Sequence, residues 1–464
     1  MNKKMGRAGL CYLMVNIVSA VISFVSIAAF SNTMTTEQYG LFTNFKAWGE
    51  LLVPVVGLQL SNALVPARSE FQEEGRFQRF HLSSLRLLVT IGFIFLLAGC
   101  LGGAALRASL PLIAAIVLFA FARSAMDYYN NYWVIHGRYK LYGASNLFYY
   151  IGSFSIPFLI LWLAPRSDSY VDRTLGFVLA AVLAVVPVMA LELRRGGRMP
   201  FSGVLRDWKY AVGISWPCIF TGLSSMALGQ ADRLILKALR GESEAGIYGL
   251  VYNFTVMVQM FSTAVINMWI PQFIHLYQEK EYKRLHREIG FYLSFITVIS
   301  MGVFLLAPEI VRLMSPEDYW SGIPMTAFLI GGVYFHAAAT FSKYVMTINK
   351  RTKSQATIMV VTTGFNIAAN FLLIPVFGMT GAAFTTFCAY GLEFLMSLAV
   401  ALRIHKEAVA VREMGLCTIC LIAAVAANYL LLDFSLLRWG LGALLGIGWL
   451  FFQRKKIKLF FVRA

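Results

Sequence analysis

Nine ionisable side chains fall within, or at the ends of, long apolar runs: Lys46, Glu50, Arg123, Asp127, Asp232, Arg233, His336, Lys343 and Glu393. A charge at membrane depth is costly, so such groups face a bundle interior or a wet cavity and mark a path for polar cargo. Arg suits bidentate capture of a phosphate, whereas Lys acts as a compact point charge. Arg123, Lys46, Lys343 and His336 are therefore the candidates for a cationic substrate path. Glu393, Asp127 and Glu50 are the candidates for coupling to a proton or another cation.

Helical rise sets the depths. Lys343 lies roughly 9 Å from the inner end of its helix, Arg123 roughly 18 Å, and Lys46 roughly 10 Å below the outer end. A pyrophosphate headgroup could pass from one to the next. The competing reading is local neutralisation. Lys46/Glu50 and Arg123/Asp127 are each spaced i,i+4 and share a helix face, so each pair could only cancel itself. The run Asp127-Tyr-Tyr-Asn-Asn-Tyr-Trp133 also reads two ways. Tyr129, Asn130, Tyr132 and Trp133 could stack on and bond to a sugar, or they could form an interfacial aromatic belt, which is the favoured reading. Asn366 and Asn370 share one helix face and suit bonding between helices.

No catalytic residue, metal or cofactor is expected. Cys417-x-x-Cys420 lies mid-span without a third ligand, and the six histidines form no ligand-spaced cluster.

The elements that position these groups are transmembrane helices. Apolar residues make up 58% of the 464, charged residues only 14%, and mean hydropathy is +0.67, well outside the range of soluble domains. Runs of about 20 apolar residues predict fourteen spans. With a basic N-terminus inside, the proposed inner segments hold 29 of the 40 Lys and Arg, against 7 on the outer side. That alternation places both termini in the cytoplasm. It also explains the net charge of +17 without nucleic acid, because the cations sit on alternate loops rather than on one exposed domain.

The spans are duplicated. Pro111 leads to Gly137-Arg138-x-Lys140 just as Pro324 leads to Lys350-Arg351-x-Lys353, with a displacement of 213 residues. The same displacement relates Arg123 to His336. Tyr39-Gly40-Leu41 recurs as Tyr248-Gly249-Leu250, and Phe71-Gln72-Glu73 as Tyr277-Gln278-Glu279. The expected fold is an all-α polytopic bundle of two six-helix lobes related by a pseudo-two-fold axis along the membrane normal, plus two C-terminal helices. The expected limits are 1–195 for the first lobe, 196–209 for a basic cytoplasmic linker, 210–402 for the second lobe and 403–464 for the extra helices and basic tail. The two lobes would enclose a central cavity.

Several motifs resemble the polysaccharide transporter family of the MOP superfamily, the flippases of O-antigen and capsule repeat units. They are Thr36-Glu-Gln-Tyr-Gly-Leu-Phe, Gln230-Ala-Asp-Arg-Leu-Ile-Leu, Gly246-Ile-Tyr-Gly-Leu, Trp269-Ile-Pro271 and Asn366-x3-Asn370-x4-Pro375-x2-Gly378. The resemblance reaches to about residue 402. It implies alternating access in the bacterial cytoplasmic membrane, with a polyprenyl-pyrophosphate-linked glycan as cargo. Membrane lipid, and a polysaccharide polymerase or chain-length machinery, are the partners it brings with it. Fourteen spans rather than twelve is similar to the lipid II flippases. The alternatives are an ion-coupled multidrug exporter of the same superfamily, which would favour an acid-lined cavity, and a membrane polysaccharide polymerase. The second needs a sizeable outer loop with paired acids, and Glu317-Asp318 is the only adjacent outer acid pair.

Overall fold

The computed structural model describes residues 3–71, 73–105, 107, 109–163, 169–197 and 201–463. Gln72 of the repeat and residues 198–200 of the expected linker lie outside them. Among the described residues the fold is all-α. The helices are α1 (Lys3–Ser31), α2 (Thr36–Val56), α3 (Leu64–Glu70), α4 (Glu74–Ala105), α5 (Leu110–Ile135), α6 (Tyr139–Leu163) and α7 (Ser169–Arg195). They continue as α8 (Phe201–Arg240), α9 (Glu242–Gln278), α10 (Tyr282–Met314), α11 (Thr326–Ile348), α12 (Thr352–His405), α13 (Val411–Leu430) and α14 (Ser435–Arg463).

Local chemistry fixes many of the ends. Thr35 caps α2 by accepting the Gln38 N–H (3.2 Å), with Gln38 at the position a capping box requires. Pro111 sits in the first turn of α5, where its missing N–H is no loss. An unbroken span over 40–66 is expected from the apolar run, but α2 ends at Val56. Pro54 removes a donor from its last turn, and Leu58 and Gln59 take left-handed φ of 46° and 51° before a 3₁₀ turn at Leu60–Ala63. The α8 backbone comes close to this turn at Gly222, where a Cβ would lie 2.5 Å from Gln59 Nε2.

Ten helical elements among the described residues are long and apolar enough to cross a membrane, and Ile17–Ser31 and Ser435–Phe451 are shorter apolar helices. This is an all-α polytopic membrane fold. Ten is fewer than the fourteen spans expected. One of the ten, Thr352–Ala408, runs 57 residues and covers two expected spans. It is broken at Gly378, with φ 56° and ψ −138°. A Cβ there would lie 2.7 Å from Glu244 Oε2. That carboxylate also accepts the Met379 N–H and pairs through its other oxygen with Arg240, so the turn is held by the junction of α8 and α9.

The chain divides into two compact units, Met1–Ala29 with Thr33–Leu234, and Phe30–Asn32 with Ile235–Ala464. In the first, α5 packs against α2, α4 and α7, and α6 lies along α7. Helix α8 up to Leu234 also belongs here. Asp207 pairs with Arg76, the Trp208 indole donates to Ser83 O (2.8 Å), and the Tyr210 hydroxyl donates to Glu70 (2.7 Å). In the second unit α11 is central and mostly buried, with α9, α10, α12 and α13 around it. Helix α14 docks on α10. The Arg438 guanidinium, wholly buried, donates to Glu309 through Nη2 (2.6 Å) and Nη1 (3.1 Å) and to Leu305 O (2.7 Å). Nearer the other end of α14, Trp449 donates to Ser294 Oγ (2.9 Å).

Candidate functional site

Each unit carries its own polar cluster. In the second, α11 presents His336 and Lys343 to the same carboxylate. Glu393 of α12 is fully buried; its Oε1 accepts from the Lys343 ammonium, and its Oε2 lies 2.8 Å from His336 Nδ1. Seven residues separate His336 and Lys343, which is two helical turns, so they stand on one face of α11 and bracket Glu393. The His336 ring also meets Tyr390 (centroids 5.2 Å apart), and Gln355 donates to Lys343 O (2.8 Å). Glu393 cannot be solvated in this position. Only its two partners make an ionised carboxylate tolerable there. His336 and Lys343 keep about a third and a fifth of their side-chain surface exposed. Two residues expected as free cations on the path, and one expected as a coupling acid, thus form a single triad.

In the first unit, Arg123 occupies the middle of α5. Its Nη2 lies 3.8 Å from Asp127 Oδ1, too far for a hydrogen bond, and its guanidinium carbon sits 5.1 Å from the centroid of the Tyr149 ring. The buried Nε has no hydrogen-bond partner. The Lys46 ammonium lies 5.9 Å from the Phe177 ring centroid and makes no ion pair among the described residues, so the expected pairing with Glu50 does not form. Lys46 is nonetheless within electrostatic reach of Glu50, Arg233, Arg173 and Arg123. Arg173 is a member that the sequence reading missed. It is 6% exposed in the first turn of α7 and stacks on Phe42 (3.9 Å) and Tyr39 (4.6 Å). Its position one residue ahead of the apolar run made it look like an outer-loop cation. Asp232 and Arg233 are buried on α8, with Arg233 donating to Gln230 Oε1 (2.9 Å).

The aromatic run on α5 turns inward. Tyr129, Tyr132 and Trp133 are buried. The Tyr129 hydroxyl donates to Glu192 of α7 (2.7 Å), which also bonds His81 Nε2 (3.0 Å), and the His81 ring stacks on Tyr132 with centroids 3.8 Å apart. Tyr129 packs on Trp133, centroids 5.1 Å apart. These three rings have no face open to a sugar in this conformation. Asn130 is half-buried and accepts from Asn146 (2.8 Å). The suggested saccharide wall is therefore a packed network joining α4, α5 and α7. Asn366 and Asn370, both buried, bond each other (3.1 Å), and Thr385 donates to Asn370, so they join the two halves of α12. Among the described residues, no group of three or more His, Cys, Asp or Glu could hold a metal ion.

The family described as "Polysaccharide biosynthesis protein" matches residues 5–277. An uncharacterized membrane protein of Methanocaldococcus jannaschii is 24% identical over 180 residues, 38% of this chain. That match spans about a third (35%) of the relative's own length. Among solved structures, the lipid II flippase MurJ in its inward closed conformation aligns with TM-score 0.68 at 14% identity, covering 97% of this chain and 99% of that one. The MATE multidrug transporter DinF-BH aligns with TM-score 0.60 at 18% identity, covering 88% of this chain and 96% of that one. At such identities these likenesses show the fold alone.

Proposed function

Because this chain belongs to the polysaccharide biosynthesis protein family, whose match covers residues 5–277, we propose that it is a flippase for a polyprenyl-pyrophosphate-linked oligosaccharide. The cargo moves from the inner to the outer leaflet of a bacterial cytoplasmic membrane by alternating access, with no covalent chemistry. The observation that carries this reading is the fold agreement with a lipid II flippase over 97% of the chain. The multidrug-transporter likeness covers less of the chain, at 88%.

The basic groups at membrane depth support the same cargo. Arg123 and Lys46 in the first unit, and Lys343 and His336 in the second, bind the pyrophosphate in turn while the lipid tail stays in the bilayer. Asp127, Glu50 and Glu393 balance those charges between cargo molecules. Of Tyr129, Asn130, Tyr132 and Trp133, Asn130 is the one that is not buried and would remain open to a sugar contact. The full architecture in this reading is fourteen spans, with lobes over 1–195 and 210–402 and both termini in the cytoplasm. The oligosaccharide emerges to a polymerase or chain-length partner.

In cells lacking this protein and any redundant flippase, full-length lipid-linked repeat units are expected to accumulate on the cytoplasmic leaflet. Surface polysaccharide should be lost. Normal surface polysaccharide in such cells rejects the reading.

A further inference from the structure

Resting on that flippase reading, we propose that Glu393 is a resident counter-anion that the cargo pyrophosphate replaces on Lys343, with one proton taken up from water as the exchange occurs. The starting point is the triad's charge. The Lys343 ammonium and the Glu393 carboxylate cancel, so the pair has no net attraction for an anion while it is closed. Lys343 offers a phosphate its uncompensated charge by leaving Glu393. The carboxylate is fully buried and has no described partners other than Lys343 and His336. Losing Lys343 would leave a buried negative charge with only the His336 contact beside it, which folded proteins avoid by neutralising the group.

The proton binds the Glu393 oxygen that Lys343 vacates, while His336 Nδ1 stays at the other oxygen. One proton enters from water, the Lys343–Glu393 ion pair opens, an ammonium–phosphate pair forms, and no other bond breaks.

Among the described residues, the surrounding elements add no second acid or base at the carboxylate. Helix α11 supplies His336 and Lys343, and α12 supplies Tyr390 against the His336 ring. From the first half of α12, Gln355 reaches only the Lys343 carbonyl. Helix α9 brings Phe273 to Phe341 and Tyr344, and α13 brings Cys417 toward Tyr334. Cargo and proton are then linked with a definite sign. Because binding takes up a proton, affinity is greatest at low pH and falls as pH rises, by up to about tenfold per pH unit.

The test is calorimetry on the purified full-length protein in buffers of different ionisation enthalpy, which counts protons. The probe is dimethyl pyrophosphate with one methyl ester on each phosphorus, a dianion with nothing to titrate between about pH 5 and 8. The expected result is close to one proton taken up per probe bound. Glu393→Gln should bind with no proton uptake and a flat pH profile, and Lys343→Gln should bind at least about tenfold more weakly. Probe binding without proton uptake by the unmutated protein overturns this inference and leaves the flippase reading standing. No probe binding at all removes both. The proton count on the unmutated protein decides even where a variant fails to fold.

Discussion

Replacing Arg123 by Ala is expected to slow translocation of a lipid-linked oligosaccharide by roughly 10- to 100-fold. That factor corresponds to about 1.5–3 kcal/mol for a charge-assisted hydrogen bond to phosphate. Arg123 has the geometry for this role. Its Nε is buried and lacks a hydrogen-bond partner, and Asp127 stands too far away to bond it. The guanidinium rests near the Tyr149 ring, which orients a cation without neutralising it. Arg123→Lys keeps the charge and loses the fork, so an intermediate rate is expected. Measured in reconstituted vesicles, equal rates for the two variants and the parent would assign Arg123 to packing. Asp127 is nearly half exposed, so losing its neighbour should cost little stability and leave the rate interpretable.

The largest stability effect is expected at the attachment of α14. Glu309→Ala strands a guanidinium that has no exposed surface, and removing one partner of a buried ion pair typically costs about 3–5 kcal/mol. The lower end applies here, because Glu309 itself is a quarter exposed and Arg438 still donates to Leu305 O and Leu431 O. A double replacement, Glu309→Leu with Arg438→Met, should recover most of the loss, since it leaves no buried charge. Thermal unfolding of the solubilised protein checks both. An unchanged melting temperature in Glu309→Ala would show that the pair does not hold α14 in place.

Helix positions were readable because the membrane imposes a strong rule. About 20 apolar residues must follow one another, and the turn chemistry of Pro111, Pro375 and Gly378 marks where they stop. Side-chain partners were less readable. Spacing i,i+4 left open that Lys46 neutralises Glu50, and among the described residues that ion pair does not form. Lys343 instead finds Glu393, 50 residues on and past the break at Gly378. The rotation of one helix about its axis relative to another decides such a contact, and no local spacing encodes it.

Tyr129 shows the same limit. Its aromatic neighbours suggested an interface or a sugar, but its partner is Glu192, which sits beside Arg194 and Arg195 at the basic end of α7 and reads there as an ordinary inner-side charge. Arg438 and Glu309, the acid that holds it, are likewise 129 residues apart, beyond the reach of any local spacing. Pro54 and Gly57 mark the end of α2 inside the apolar run over 40–66.

The central claim is movement of an anionic lipid-linked glycan, and reconstitution tests it most directly. Purified protein is placed in vesicles with a fluorescent short-chain polyprenyl-pyrophosphate oligosaccharide on one leaflet, and its arrival on the other is followed with an impermeant quencher. Translocation well above that of protein-free vesicles, and close to that background for Arg123→Ala, is the predicted result. A rate equal to protein-free vesicles, alongside export of a cationic dye by the same preparation, would contradict it and identify a multidrug exporter instead.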